Sequence, residues 1–196
     1  MTTRSTLRAL AIASALSLTA CGGSAAEEEP PPQDDTAGAE QPVQEPPPSV
    51  AVATLAPTEG NEVSGTVTFT QQGTGVSVQI DLAGLPPETT HGFHVHETGD
   101  CSAPDGTSAG GHYNPGGHDH SLPEGGPRHA GDMGNVVADA AGEVHDTRTF
   151  DTLSVDAEDP PPVAGRAVIV HADEDDGGQP TGNAGARVAC GVIELQ

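Results

Sequence analysis

Two histidines alternate with apolar residues near the middle of the chain. His94 and His96 stand in the segment HGFHVHE, residues 91–97. Side chains at i and i+2 of a β-strand share one face, so both imidazoles point the same way while Phe93 and Val95 point into a core. Two imidazoles on one face are half of a metal site. A pair of solvated surface histidines would have the same spacing, so the pair alone leaves both interpretations open.

A glycine-rich stretch downstream supplies further metal-capable side chains, because a loop of this kind can bend several ligands onto one cation. Residues 110–134 read GGHYNPGGHDHSLPEGGPRHAGDMG. The metal-capable side chains in it are His112, His118, His120, His129 and Asp132. Three imidazoles with one carboxylate suit tetrahedral zinc, and His118 and His120 compete for one of these positions. His171 follows the apolar run AVIV and adds another imidazole, and imidazoles in a planar arrangement suit Cu(II).

Period-2 alternation of apolar residues predicts an all-β domain from residue 51 onward. The predicted strands are residues 49–57, 62–71, 75–85, 91–97, 133–140, 143–155, 165–172 and 187–195. Short strands at this spacing, without a helical period, indicate an antiparallel sandwich or barrel. Two long irregular stretches, 98–131 and 173–186, interrupt the strands, and loops of that length in a compact domain are typically functional.

The charge of the chain excludes one class of partner. The protein has 196 residues, no lysine and a formal net charge of −23. Residues 51–196 alone contain 22 acidic residues against four Arg, a net charge of −18. Nucleic-acid binding requires basic surface that replaces phosphate counterions, so this composition argues against it.

The N-terminal residues have the pattern of an export signal. Arg4 and Arg8 precede an apolar stretch, residues 9–20, that is too short to span a bilayer comfortably. LTAC, residues 18–21, resembles a bacterial lipobox, which predicts a signal peptide over 1–21 and lipidation of Cys21, although an ordinary secretory signal has a similar form. Residues 22–50 carry seven acids and no base and predict a disordered Pro- and Glu-rich tether. We therefore expect an exported protein, lipid-anchored in the cell envelope.

The cysteine count supports export. The chain has three cysteines, and lipidation of Cys21 would leave Cys101 and Cys190 as an even pair. In an oxidising compartment such a pair predicts a disulfide, whereas two buried free thiols are the alternative.

Five segments together resemble a known family. GFHVHE, GGHYNP, RHAGDMGN, VIVHADEDD and GNAGARVACGVI are similar, in order and spacing, to the signature segments of copper–zinc superoxide dismutases. The resemblance covers residues 51–196 and implies an eight-stranded antiparallel Greek-key barrel. It also implies dismutation of superoxide to dioxygen and hydrogen peroxide by alternate reduction and oxidation of a histidine-bound copper, with a structural zinc.

The resemblance assigns roles to individual residues. The implied copper ligands are His94, His96, His112 and His171. The implied zinc ligands are His112, His120, His129 and Asp132, so that His112 bridges both metals and exchanges a proton during turnover. Cys101 and Cys190 would form the family's disulfide. The remaining implied roles are attraction of superoxide by Arg187, lining of the channel by Thr181, and a link between a copper histidine and a zinc histidine through Asp175.

Two other classes of function remain open at this point. A metal-buffering or copper-delivery lipoprotein could use the same fold, although the complete ligand set, the presence of Arg187 and the absence of a Cys-x-Cys motif argue against it. A purely structural envelope protein would have no need for His112 or Asp132. The expected partners are the superoxide anion and, through the N-terminal lipid alone, a membrane; a homodimer is left open.

Overall fold

The computed structural model describes residues 47–157 and 162–196, and this part of the chain is all-β. Its eight strands are β1 Val50–Pro57, β2 Ser64–Gln72, β3 Gly75–Ala83, β4 Thr90–His96, β5 Asp132–Val137, β6 Val144–Phe150, β7 Ala167–His171 and β8 Arg187–Leu195. Two 3₁₀ turns, Thr107–Ala109 and Pro123–Gly125, lie in the loop between β4 and β5. The predicted signal peptide with Cys21, and the tether up to residue 46, lie outside the described residues.

The eight strands form one antiparallel sheet in the order β5-β4-β7-β8-β1-β2-β3-β6. β3 and β4 are consecutive in the chain but far apart in this order, a crossover of the Greek-key kind. The outer strands β5 and β6 approach each other, and the Arg148 guanidinium of β6 donates to the Met133 carbonyl of β5 at 3.2 Å. The sheet is therefore a nearly closed barrel, which confirms the predicted fold class.

Alternating apolar side chains fill the barrel. On β3, for example, Val76, Val78, Ile80 and Leu82 are buried and belong to the main core cluster. The side chains between them, Ser77, Gln79 and Asp81, are half-buried or exposed. Phe93 and Val95 of β4 join the same cluster, as the alternation predicted. Removing these apolar surfaces from water is the main force that holds the strands in register.

The sixth strand is shorter than the sequence pattern predicted. The alternation suggested residues 143–155, but the ladder to β3 ends at Phe150. Leu153 and Val155 are nevertheless buried, and the Val155 amide donates to the Gln71 side chain at 2.8 Å instead of to a neighbouring strand. Apolar alternation continued past the strand end because the loop also packs on the core.

Helices long and apolar enough to cross a membrane are absent from residues 47–157 and 162–196.

A charged cross-strand pair on the barrel surface should give the stability a pH dependence. His145 of β6 is opposite Asp81 of β3 and donates to its carboxylate at 2.9 Å, and a Glu143 oxygen lies 3.5 Å from the other ring nitrogen. The hydrogen bond to Asp81 raises the pKa of His145 above its ordinary value of 6.5. The folded protein therefore holds this proton more tightly than the unfolded chain. The resulting stabilisation is complete below pH 6.5 and is lost as the pH rises through the folded-state pKa.

His145→Gln tests this expectation. We expect the variant to unfold at a lower temperature than the wild type at acidic pH, and the two melting temperatures to converge at alkaline pH. Thermal unfolding between about pH 5.5 and 8.5 covers the range in which histidine titrates. A difference that stays constant over this range would contradict the interpretation.

Candidate metal centre

Two neighbouring strands and a loop bring four histidines together. His94 and His96 lie on β4, and His171 ends β7, the antiparallel neighbour of β4. His112 lies in the β4–β5 loop, and its backbone pairs with that of His96 in an antiparallel β-bridge. All four side chains are buried, and one ring nitrogen of each lies within 4.8 Å of those of the other three.

The ring nitrogens of this cluster divide into paired and unpaired ones. The outer nitrogens of three rings donate to protein oxygens: His94 to Asp175 at 2.9 Å, His96 to the Gly110 carbonyl at 2.9 Å and His171 to the Gly185 carbonyl at 3.3 Å. The nitrogens without any hydrogen-bond partner are Nδ1 of His94 and Nε2 of His96, His112 and His171. A buried nitrogen without a partner is costly, and an outer hydrogen bond that fixes the tautomer is typical of histidines that ligate metals.

Burial keeps these imidazoles neutral. Desolvation lowers the pKa of His112 to about 4 and that of His171 to about 3, and it lowers the pKa of His96 as well. A neutral imidazole has the lone pair that a metal ligand needs, whereas a protonated one has none. His96, His112 and His171 are therefore in the ligating form at neutral pH.

A second cluster is arranged around one carboxylate oxygen. Oδ1 of Asp132 lies 2.7 Å from Nδ1 of His112, 3.0 Å from Nδ1 of His120 and 3.1 Å from Nδ1 of His129. The His120 nitrogen has no hydrogen-bond partner despite this approach. Three imidazole nitrogens and one carboxylate oxygen at this spacing form a tetrahedral zinc donor set.

The Asp132 carboxylate is fully buried. Burial raises its pKa, but the hydrogen bond from His112 and the charges of His120 and His112 have the larger combined effect, and the resulting pKa lies below the ordinary value. Oδ2 accepts hydrogen bonds from the backbone amides of His129 at 3.1 Å and Ser121 at 3.2 Å. These bonds hold an ionised carboxylate in the protein interior, where a cation would offset its charge.

Asp175 joins the two clusters. One carboxylate oxygen accepts from Nε2 of His94 at 2.9 Å, and the other accepts from Nε2 of His120 at 3.0 Å. Asn135 of β5 fixes the backbone of Asp175 by exchanging two hydrogen bonds with it, at 2.8 and 2.9 Å. Asp175 was a candidate in the sequence, whereas Asn135 was missed.

Arg187 lies at the edge of the first cluster. It begins β8 opposite His171, and its guanidinium donates to the carbonyls of Gly106 and Gly110, each at 2.6 Å. Its charge contributes to the lowered pKa values of His96 and His171. A fixed cation therefore stands beside the four-histidine cluster.

The disulfide that the cysteine count predicted is present. Cys101 and Cys190 are bonded, and their Cα atoms are 5.8 Å apart. The bond ties the start of the β4–β5 loop, which carries Gly106 and Gly110, to β8.

Comparison with known proteins agrees with this geometry. The sequence matches the family model for copper/zinc superoxide dismutase over residues 63–193. The chain belongs to the copper/zinc superoxide dismutase family. Among solved structures, the crystal structure of the clock protein EA4 is similar, with 42% sequence identity, a TM-score of 0.68, and coverage of 78% of this chain and 98% of that chain.

The donor sets fit the two metals of the superoxide dismutase family. Four imidazoles suit copper, and three imidazoles with one carboxylate suit zinc. His112 belongs to both sets, with Nε2 unpaired among the copper-type ligands and Nδ1 directed at Asp132. The residues present are therefore able to hold one copper and one zinc side by side.

Two of the sequence-based candidates, His118 in the β4–β5 loop and Thr181 in the β7–β8 loop, are exposed. His120 is buried in the carboxylate-centred cluster, whereas its competitor His118 is exposed and its backbone is bonded to the Asn114 side chain. Thr181 is exposed in the β7–β8 loop, and its channel-lining role stays a prediction.

Gly182 is a site residue that the sequence analysis missed. Its φ of +77° is in the left-handed region, and a Cβ at this position would overlap the Asp175 carboxylate and lie 2.9 Å from Nε2 of His120. Only glycine lets the β7–β8 loop pass this close to the carboxylate that links the clusters. The segment TGN contains the signal, but one sequence does not show which of its many glycines is constrained in this way.

Gly182→Ala should therefore weaken metal retention by displacing Asp175. Loss of such an outer hydrogen bond reduces metal affinity by about 10–100-fold in other metal sites, and we expect a loss of that order for zinc and copper. Gly60→Ala is a matched control, because Gly60 has a similar φ of +81° and a Cβ at that position would meet no atom within 4 Å. Metal content after dialysis against a graded chelator series compares the two. Equal losses would mean that backbone strain, and not Asp175, is responsible.

Proposed function

We propose that the protein is an exported superoxide dismutase, converting two superoxide anions and two protons to dioxygen and hydrogen peroxide. The observation that carries the proposal is the set of four unpaired, buried imidazole nitrogens beside Arg187. A cluster that only stabilised the barrel would have its polar atoms paired.

His94, His96, His112 and His171 would hold copper, and His112, His120, His129 and Asp132 would hold zinc. When bound, copper would supply one-electron redox chemistry, and zinc would supply a fixed positive charge without redox chemistry. The protein side chains bind the substrate, orient the ligands and move the proton.

Arg187 binds the substrate anion. Burial lowers the pKa of its guanidinium, but the group is protonated at any working pH. Its two hydrogen bonds to loop carbonyls fix the charge beside the four-histidine cluster, so it attracts a small anion without rearranging.

His112 carries a proton at Nε2 to the reduced substrate. Nδ1 is held toward Asp132, which keeps the ring oriented and leaves Nε2 facing the other cluster. Asp175 fixes the rings of His94 and His120 through their outer nitrogens and so preserves the spacing of both donor sets.

Export and lipid attachment belong to the same proposal. Support comes from the sequence of residues 1–21, from Cys21 at the end of the lipobox-like segment, and from the Cys101–Cys190 disulfide, which is typical of oxidising compartments. A Cys21→Ser variant that still fractionates with membranes would contradict lipidation at this cysteine.

Decay of superoxide after pulse radiolysis tests the activity. Superoxide dismutases are among the enzymes that work near the diffusional ceiling, so the metal-loaded protein should accelerate the decay in proportion to its concentration. His171→Ala removes one copper-type ligand and should abolish the acceleration. His145→Gln, which removes an exposed histidine that belongs to neither cluster, should leave the rate unchanged.

The result also separates the alternative function. Wild-type protein that binds both metals fully but does not accelerate the decay would be assigned to metal buffering or copper delivery. A His171→Ala variant that accelerates the decay as well as the wild type does would contradict the proposed site.

A further inference from the structure

A cavity adjoins Arg187 and contains two carboxylates that the proposed reaction does not use. It has a volume of about 320 Å³. Its lining includes Thr58, Glu59, Asp105, Thr107, Gly185 and Arg187. Glu59 and Asp105 are exposed, whereas Arg187 is partly buried, so the acidic groups lie nearer to solvent than the cation.

Backbone hydrogen bonds fix the two acidic residues around Arg187. The Glu59 amide donates to the Pro104 carbonyl at 2.7 Å, which joins the segment after β1 to the β4–β5 loop. The Thr58 hydroxyl donates to the Arg187 carbonyl at 2.7 Å. Asp105 precedes Gly106, whose carbonyl accepts from the Arg187 guanidinium. These bonds hold the backbones of both acidic residues beside the segment and the loop that position Arg187.

The Asp105 carboxylate is ionised and acts on Arg187. Its Oδ1 accepts from the Thr107 amide at 3.0 Å and from the Thr107 hydroxyl at 2.7 Å, and these bonds lower its pKa. The charge of Arg187 lowers the pKa of Asp105 further, and Asp105 in turn raises the pKa of Arg187 against the effect of burial. The two charges therefore influence each other across the cavity.

We infer that Glu59 and Asp105 form an anionic rim that makes the Arg187 site selective for monovalent over divalent anions. The inference rests on the proposed function, in which Arg187 receives a monovalent anion. Coulomb energy is proportional to the charge of the ligand, so a lone arginine would attract sulfate or hydrogen phosphate twice as strongly as superoxide. Two carboxylates at the entrance oppose that attraction, and they also oppose a dianion twice as strongly as a monoanion.

Coulomb's law links the affinities for the two anion classes quantitatively. If removing one rim charge raises the affinity for a monoanion by some factor, it raises the affinity for a dianion at the same position by about the square of that factor. For charges separated through water by several ångströms, we expect about twofold for a monoanion and about fourfold for a dianion. A change in fold or packing would have no reason to follow this relation.

Asp105→Asn and Glu59→Gln test the rim in the full, metal-loaded protein. Asp105→Asn keeps the oxygen that accepts from Thr107 and removes only the charge. Glu194→Gln is the matched control, because it removes the same charge from an exposed residue of β8, seven positions after Arg187 and about 23 Å away along the strand.

The probes are azide, a monoanion, and sulfate, a dianion, at constant ionic strength. Azide binding is followed by its optical absorption with copper, and sulfate binding by its competition with azide. We expect each rim variant to bind azide about twofold and sulfate about fourfold more tightly than the wild type, and Glu194→Gln to match the wild type. Equal factors for azide and sulfate, or the same gain in Glu194→Gln, would overturn the inference.

The experiment does not depend on turnover, so the two proposals fail separately. If the wild type has no dismutase activity but its rim variants follow the squared relation, the proposed function is wrong and the anionic rim is supported. If the wild type is active but its rim variants bind both anions with wild-type affinity, the proposed function is supported and the anionic rim is wrong.

Discussion

Asp132→Ala is expected to release zinc and to destabilise the metal-loaded protein by about 3–5 kcal/mol, the range found when one partner of a buried charged network is removed. The side chain is fully buried, and its Oδ1 is the point on which three imidazole nitrogens converge. Without the carboxylate, these nitrogens lose their common partner, and a zinc ion would have only three protein ligands.

Zinc content after dialysis and urea unfolding with and without a chelator measure both effects. The stability difference between wild type and Asp132→Ala should shrink in the chelator, because a bound metal stabilises only the protein that retains it. Asp119→Ala is a suitable control, since it removes an exposed carboxylate from the same loop. An Asp132→Ala protein that still holds one zinc per chain would show that the carboxylate is not a ligand.

The histidines of the site were predictable because strand geometry has a simple period. His94 and His96 share a face in any β-strand, and Phe93 and Val95 then have to face the core, as they do. The loop ligands were predictable as a set from their residue types. The residue types alone left His120 and His118 in competition, and the family resemblance implied His120. The path of the loop agrees, because it buries His120 and leaves His118 exposed.

The residues that the sequence did not reveal act through backbone contacts between distant segments. Gly182 is constrained by the Asp175 carboxylate, and Asn135 binds a backbone 40 positions away. Glu59 and Asp105 come together only because the segment after β1 is hydrogen-bonded to the β4–β5 loop. No period or residue type encodes such proximity, so these roles emerge only when the Greek-key crossovers are known.

Removing the disulfide should have the second large effect. Cys101 and Cys190 are separated by 89 positions, so the bond closes a long loop in the unfolded chain. In the chain-entropy description, a loop of that length corresponds to about 4–5 kcal/mol of stabilisation. We expect the double variant Cys101→Ala/Cys190→Ala to lose a free energy of unfolding of that order, because alanine leaves no unpaired polar atom at the partly buried site.

Urea unfolding with and without dithiothreitol provides the control within the experiment. The reductant should lower the stability of the wild type to nearly that of the double variant and leave the double variant itself unchanged. A wild-type protein whose unfolding midpoint is insensitive to complete reduction, verified by thiol titration, would contradict a stabilising role for this bond.

The disulfide should also affect the four-histidine cluster, because it anchors the loop on which that cluster depends. The Gly110 carbonyl accepts from both His96 and Arg187, and the Gly106 carbonyl accepts from Arg187. These carbonyls lie within ten residues of Cys101, so releasing the cysteine allows the loop to move away from the cation and the ring. We therefore expect azide affinity to fall in the double variant under conditions in which it is still fully folded. If azide affinity instead stays at the wild-type value while stability falls, the bond stabilises the barrel without positioning Arg187.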